Sequence, residues 1–330
     1  MRDWQESLVN LIREKNTVIL ATHVNPDGDA LGSLLGLADM LESMGKTVIR
    51  YLEEPVSHLY RFLPDSDRVV TDLDQVCGIA RNAGEDVLGI SLDCGDLKRL
   101  GKSGSRLLQI HPFVVIDHHQ GNDGFGDLAW IEPHRSSTGE MIFDLITALG
   151  LRLSLRAASC LYVAIVTDTG SFKYEATSSH TFQVAASLLE AGVRPEEISR
   201  NLHDNFSLGR LHLMQQVLAT LETFADDAIA AIRVTREMLR SCGCTLEDTE
   251  NFINLPRSVD SVRVACFLKE SGEDLVTVSL RAKGDCNVAR VANRFGGGGH
   301  RNAAGFRMHR HTLDEVQEIL LPVLREELAA

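Results

Sequence analysis

Residues 113–116 are apolar β-formers, and they run straight into Asp117-His118-His119. Alone, that triplet would read as a turn aspartate and two surface histidines. Three further apolar runs end in the same chemistry: 17–21 into His23-Val-Asn-Pro-Asp27-Gly-Asp29, 87–92 into Asp93-Cys-Gly-Asp96, and 161–166 into Thr167-Asp168. Strands buried on both faces read as continuous apolar runs, and in open parallel sheets the functional crevice lies beyond their carboxyl ends. The histidines His23 and His118 and the aspartates Asp27, Asp29, Asp93 and Asp168 are therefore expected on one rim. Imidazoles mixed with carboxylates suit hard to borderline divalent ions such as Mn²⁺, whereas structural zinc favours thiolates. Four gathered carboxylates repel one another unless cations neutralise them, and one divalent ion leaves a surplus of negative charge, so two ions are expected. A two-metal site about 3.5 to 4 Å across activates water and stabilises a phosphoryl transition state, which points to phosphoester hydrolysis.

A second feature lies far along the chain. Gly296-Gly-Gly-Gly299-His300-Arg301 allows close approach of main-chain N–H groups to an anion. Between Arg281 and Arg310 there are seven Lys or Arg against the single acid Asp285, inside a chain of net charge −13. Such a local basic field suits a phosphate-bearing substrate held in a cleft between domains; the bland alternative is a solvated helix face, chiefly for Arg290, Arg294 and Arg310.

The elements that must carry these groups follow from the pattern. Strands are expected near 17–23, 47–53, 87–93 and 112–118, with helices near 2–15, 30–44, 138–149, 155–167 and 179–191. That alternation predicts an α/β fold with a parallel sheet and flanking helices over residues 1–192. Gly192 closes one helix and Pro195-Glu196-Glu197 opens another, which gives a helical connection over 193–224. Residues 225–330 then read as a smaller α+β domain, with strands at 228–234, 261–268 and 275–282, a helix at 287–295, an apolar segment at 303–308 and a closing helix from Leu313. A chain of 330 residues exceeds the usual single core. No stretch approaches the roughly 18 apolar residues of a membrane span, and the N-terminus has no signal-peptide core. The seven cysteines include no Cys-x-x-Cys; they are read as reduced, Cys242-Gly-Cys244 being the one pair with any claim on metal or redox chemistry. A cytoplasmic protein that does not touch the membrane is expected. The acidic balance argues against general or sequence-specific binding of duplex DNA.

Taken in order, His23-Val-Asn-Pro-Asp27-Gly-Asp29-Ala-Leu-Gly-Ser33, Asp93, Asp117-His118-His119, Ser136-Ser-Thr-Gly-Glu140, Thr167-Asp168-Thr-Gly170 and Gly296-Gly-Gly-Gly-His300-Arg-Asn-Ala-Ala-Gly305 resemble the motifs of DHH/DHHA1 phosphoesterases. The resemblance covers nearly the whole chain and is strongest to the nanoRNase and pAp-phosphatase subfamily. It implies that His23 and Asp27 hold one manganese, that Asp93 bridges, and that Asp29, His118 and Asp168 hold the second. Asp117 would orient its neighbours by hydrogen bonds, and His119 would face the substrate, binding a phosphate oxygen or assisting the leaving group. In the second domain Arg281, Gly298, Gly299 and His300 match positions that meet the substrate's phosphate and nucleotide end, with Arg257 a further candidate.

The function this implies is manganese-dependent hydrolysis of short single-stranded oligoribonucleotides (nanoRNA) to mononucleotides and dephosphorylation of 3′-phosphoadenosine 5′-phosphate, pAp, with a homodimer open. Linear dinucleotides such as pGpG or pApA are the alternative substrates. A non-catalytic nucleotide or RNA-binding regulator is the alternative of another class, and it would predict eroded metal ligands. A RecJ-like exonuclease is disfavoured for want of an OB-fold segment, and a membrane-bound cyclic-dinucleotide phosphodiesterase for want of spans. Family II pyrophosphatase would lack this glycine run. Asp96 is expected to cap the helix from Leu97, and Cys94 to be a small filler. His134 and Arg135 are cleft candidates, while His203, His212, His309 and His311 match no motif.

Overall fold

The computed structural model describes residues 3–329, apart from the side chains of residues 3–5 and His300. Two compact units divide the chain, one up to Asp204 and the other from Asn205. In the first, α1 (Asp3–Glu14) leads into β1 (Thr17–Thr22), α2 (Gly28–Ser43), β2 (Thr47–Tyr51), α3 (Leu73–Ala83), β3 (Val87–Leu92), α4 (Gly104–Leu107), β4 (Phe113–Asp117) and β5 (Leu128–Ile131). Helices α5 (Thr138–Ala148), α6 (Leu155–Asp168), α7 (Ser179–Glu190) and α8 (Pro195–His203) follow. The five strands are all parallel, in the order β2-β1-β3-β4-β5. The chain proceeds outward from β1 in both directions, so the gap beyond the carboxyl ends of β1 and β3 is the topological switch point of the sheet. The expected first four strands are present, and the apolar run 161–166 lies in the helix expected near 155–167: it belongs to α6, and Asp168 is that helix's last residue. A wholly buried helix shows an unbroken apolar run just as a buried strand does. Sequence reading passed over α3 and the short edge strand β5.

One helix pair matters for the site. Helix α2 is buried along nearly its whole length, and its Gly28, Gly32 and Gly36 face α6. A Cβ at Gly32 would stand 2.3 Å from the Cys160 carbonyl, and one at Gly28 2.5 Å from the Thr167 side chain. Glycine spacing of four therefore lets two backbones approach to a distance that side chains forbid.

The second unit comprises α9 (Leu208–Leu218), β6 (Glu222–Phe224), β7 (Ile229–Val234), α10 (Arg236–Cys242), α11 (Asn254–Arg257), β8 (Val264–Glu270), β9 (Leu275–Ala282), α12 (Val288–Arg294), β10 (Gly298–His300), β11 (Ala303–His309) and α13 (Leu313–Ala329). Its mixed sheet has the order β10-β11-β9-β8-β7-β6. One face packs Val278, Leu280 and Phe306 against Val291 of α12 and Val316 and Leu320 of α13. The other packs Ile232 and Phe267 against Leu213 and Val217 of α9. The glycine run is less loop-like than expected, since Gly298 and Gly299 belong to the edge strand β10, paired with Gly305 and Ala304 of β11. Gly297 is required by packing, because a Cβ there would stand 2.2 Å from the Gly305 carbonyl. Among the described residues all seven cysteines are free, and no helix is long and apolar enough to cross a membrane.

Candidate metal centre

Three of the four chemistry-bearing segments leave the sheet at its switch-point rim, and the fourth is brought there by α6. His23 follows β1. Its Nδ1–H donates to its neighbour's carbonyl, Val24 O, at 2.9 Å, which leaves Nε2 buried without a hydrogen-bond partner and 3.6 Å from Asp93 Oδ2. His118, beyond β4, has the same arrangement: Nδ1–H donates to the Arg135 carbonyl at 3.2 Å, and Nε2 lies 3.3 Å from Asp168, 3.5 Å from Asp93 and 3.6 Å from Asp29. In both, a backbone carbonyl fixes the tautomer and turns a lone pair toward carboxylates, as metal-ligating histidines require. Ligand atoms of His23, Asp27 and Asp93 lie within 4.8 Å of one another, and so do those of Asp29, His118 and Asp168. Asp93 joins the two groups through its contacts to His23 and His118. A third grouping of Asp93, His118 and His119 overlaps both. The orphaned Nε2 and the unneutralised carboxylates fit divalent cations, with His and Asp donors and no thiolate.

The carboxylates are placed by local structure. Asp27 caps α2, its Oδ1 accepting from the amides of Asp29 and Ala30, both at 3.1 Å. Asp29, in the first turn of α2, accepts from the amides of Thr138 (2.7 Å) and Gly139 (2.8 Å) and from the Ser33 hydroxyl. The start of α5, capped by Ser137, therefore treats Asp29 as its anion. Gly139 permits this approach, since a Cβ there would stand 2.4 Å from that of Ala164. Asp93 follows β3 in a left-handed conformation, φ 55°, and accepts from the Thr138 hydroxyl at 3.0 Å.

The charges pull against each other. Burial and the carboxylates of Asp93, Asp168 and Asp27 raise the Asp29 carboxyl well above its usual range, against the Gly139 amide. Burial with Asp93 and Asp27 pushes Asp168 to about 6, against His118 and His119. For Asp93 burial is outweighed by His23, His119 and His118, which hold it below the carboxylate range. His23 and His118 are raised, burial being overcome by Asp93 and Asp27 in the first case and by Asp168, Asp93 and Asp117 in the second. Without cations the cluster therefore retains protons.

Asp117 ends β4 fully buried. It accepts from His119 Nδ1 at 2.7 Å and from Asn122 Nδ2 at 2.6 Å, so its orienting contacts run to His119. Its carboxyl stays below the usual range because these donors outweigh burial. His119 Nε2 accepts from Arg99 Nη1 at 3.0 Å. Sequence reading missed Arg99, Asn122 and Thr138 as partners. Only Thr138 had a signal, the Ser-Thr-Gly-Glu helix start that follows His118. Arg135 is not free in a cleft: it pairs with Glu132, Glu140 and Asp144 while its carbonyl holds His118. Asp96 caps the turn from Leu97 through the amides of Lys98 and Arg99, and Cys94 is buried.

In the second unit Arg281 lies on β9, opposite Ala303 of β11 and Ala265 of β8, and Arg257 ends α11. The expectation for the His300 side chain lies outside the described residues.

Residues 17–165 match the DHH family, N-terminal domain, and residues 234–326 the DHHA1 domain. The chain is 33% identical over 312 residues to the bifunctional oligoribonuclease and PAP phosphatase NrnA of Thermus thermophilus, covering 94% of this chain and 90% of that protein. It is 28% identical to the protein of the same name from Bacillus subtilis, covering 95% of each. Among solved structures, an exopolyphosphatase-related protein from Bacteroides fragilis superposes with a TM-score of 0.90 at 29% identity, over 99% of this chain and 96% of that one. The chain belongs to the DHH family of phosphoesterases, with a DHHA1 domain in its second unit.

Proposed function

We propose that this enzyme hydrolyses short oligoribonucleotides to mononucleotides and dephosphorylates pAp, using two Mn²⁺ ions held by His23 and Asp27 on one side and Asp29, His118 and Asp168 on the other, with Asp93 between. The observation that carries this reading is the paired tautomers: two buried histidines with Nδ1 spent on backbone carbonyls and Nε2 turned toward a shared carboxylate. The names of the relatives from Thermus and Bacillus support the substrate class. Bound there, divalent cations neutralise the carboxylates, acidify a water and offset the negative charge of a phosphoryl transition state. The chain's own residues do the rest. Asp29 is locked by the α5 amides, and Thr138 steadies Asp93. Asp117 keeps His119 in the Nδ1–H tautomer, so that Nε2 is an acceptor beside the Arg99 guanidinium. Arg281, Arg257, Gly298, Gly299 and His300 of the second unit are assigned the capture of the substrate's phosphate and nucleotide end.

The test is a substrate panel: purified protein with Mn²⁺, offered labelled RNA from two to twenty-four nucleotides, DNA, pAp, pGpG, pApA and pyrophosphate. The highest kcat/KM is expected on two- to five-nucleotide RNA and pAp; preference for long DNA or pyrophosphate would overturn the reading. Activity is expected to be highest with Mn²⁺, poorer with Mg²⁺ and lost in EDTA. Full rate in Mg²⁺ with none in Mn²⁺ would refute the ligand assignment.

A further inference from the structure

The loop that leaves β3 at Asp93 is pinned along its length. Asp96 accepts from the amides of Lys98 at 2.7 Å and Arg99 at 3.1 Å. The Arg99 carbonyl accepts from the Val24 amide at 2.8 Å, and the Val24 carbonyl is the one that holds His23 Nδ1. Farther on, the Ser103 amide and hydroxyl donate to Glu53 at 3.2 and 3.1 Å. Arg99 is therefore fixed by its backbone to the segment that carries the first ligand group.

Its side chain is half-buried, and Nη1 donates to His119 Nε2 at 3.0 Å. The imidazole in turn donates from Nδ1 to Asp117 Oδ1 at 2.7 Å, and Asn122 donates to the other Asp117 oxygen at 2.6 Å. His119 Nδ1 is 3.6 Å from Asp93 Oδ1. A chain of hydrogen bonds thus starts beside the shared ligand and ends on a guanidinium. Both ring nitrogens of His119 are spent inside the protein, so the group left with donors to offer is Arg99.

A guanidinium that serves only packing or charge balance in a half-buried place bonds a carboxylate. Arg50 does so with Glu42, and Arg135 with Glu132, Glu140 and Asp144. Arg99 bonds an imidazole instead and forms no ion pair among the described residues. Its planar fork keeps further N–H groups after the bond to His119, and such a fork matches the oxygens of a phosphate. A donor already locked in place costs no reorganisation when charge develops on the phosphoryl group.

We propose that Arg99 is a catalytic residue that grips a non-bridging oxygen of the scissile phosphate, and that His119 is the positioning residue that aims it rather than a proton donor to the leaving group. This rests on the reading of the first unit as a phosphoester hydrolase, and it adds to that reading one residue in contact with substrate and a role for its neighbour.

The experiment uses the full-length protein loaded with Mn²⁺. R99M is expected to bind inorganic phosphate about tenfold or more weakly by calorimetry, with the amount of bound Mn²⁺ unchanged by electron paramagnetic resonance. Its kcat should fall by about 10²-fold or more even on the generic ester bis-p-nitrophenyl phosphate, because the contact is at the scissile phosphate and not at a remote part of the substrate. On Rp and Sp phosphorothioate dinucleotides the ratio of rates should shift by about tenfold, since one oxygen loses its donor; a merely structural loss lowers both rates alike. R99K, which keeps the charge without the fork, should fall between parent and R99M. H119Q retains an acceptor for Arg99 and should stay well above H119A. Thermal unfolding checks each variant, and if R99M fails to fold, R99Q and R99K carry the comparison. Unchanged phosphate affinity in R99M, an unchanged phosphorothioate ratio, or a rate loss matched by lost Mn²⁺ would each overturn the contact. H119Q as inactive as H119A would overturn the positioning role. Phosphate binding requires no turnover, so the outcome is separable from the hydrolytic reading. Phosphate held through Arg99 in a protein that cleaves nothing would leave the contact standing and remove the activity.

Discussion

Asp93 is the residue on which the two ligand groups converge, and its backbone is bent to serve them. A left-handed φ of 55° at a non-glycine residue is uncommon, and it lets one carboxylate meet His23 through Oδ2 and His118 and the Thr138 hydroxyl through Oδ1. Removing it relieves carboxylate repulsion while deleting the shared ligand, so fold and activity should separate. Asp93→Ala is expected to cut hydrolysis by about 10³ or more, with far-UV circular dichroism unchanged and bound Mn²⁺ reduced. Near-normal turnover would sink the shared-ligand arrangement. Asp93→Asn, which can keep the Thr138 hydrogen bond, should be as inactive, showing that the loss is of charge and not of shape.

At the scale of elements, the site depends on how closely α2 meets α6, because Asp29 sits in the first turn of one and Asp168 ends the other. Gly32→Ala puts a methyl 2.3 Å from a backbone carbonyl that cannot swing away. A loss of about 1–3 kcal/mol in urea unfolding is expected, with weakened Mn²⁺ binding as the helices part. Gly78→Ala is the matched control: on α3, with open space around its Cβ, it should stabilise by about 0.5–1 kcal/mol and leave metal binding alone. If both variants behave alike, close helix approach is not what holds Asp29 and Asp168 together. These elements also mark what was legible in the sequence. Strands β1, β3 and β4 showed themselves because burial on both faces leaves an unbroken apolar run with polar chemistry at its end. The run in α6 looked the same for the opposite reason, a helix buried all round. Helix α3 carried an Asp72 cap and a Gly84 stop and could have been read; β5, four residues at a sheet edge and mostly half-buried, offered little. The contacts of Thr138 with Asp93 and of Arg99 with His119 join residues 45 and 20 positions apart, and no local pattern encodes such pairs.

For the molecule as a whole, the cluster ties stability to pH and to metal together. In the metal-free protein the Asp29 and Asp168 carboxyls are raised above their unfolded values, Asp168 to about 6. A group raised in this way stabilises the fold where it is protonated, fully below the unfolded carboxylate range, and loses that contribution as pH rises through the folded value. His23 and His118 are also raised; their contribution is complete below the unfolded imidazole value of about 6.5 and fades above it. Asp93 and Asp117 are lowered, so their contribution is present above the usual carboxylate range and is lost only in stronger acid. Between pH 5 and pH 8 the raised groups therefore act in one direction, and the metal-free protein should become less stable as pH rises. Cations reverse this, because they bind the deprotonated ligands and stabilise whatever state holds them. The Tm difference between Mn²⁺-loaded and EDTA-treated protein is accordingly expected to be small at pH 5 and to widen steadily to pH 8, with most of the widening due to a falling Tm of the chelated form. Differential scanning calorimetry at fixed ionic strength measures both curves. A gap that stays constant across this range, or a chelated form that gains stability with pH, would mean that these carboxylates and imidazoles do not share protons as the geometry requires.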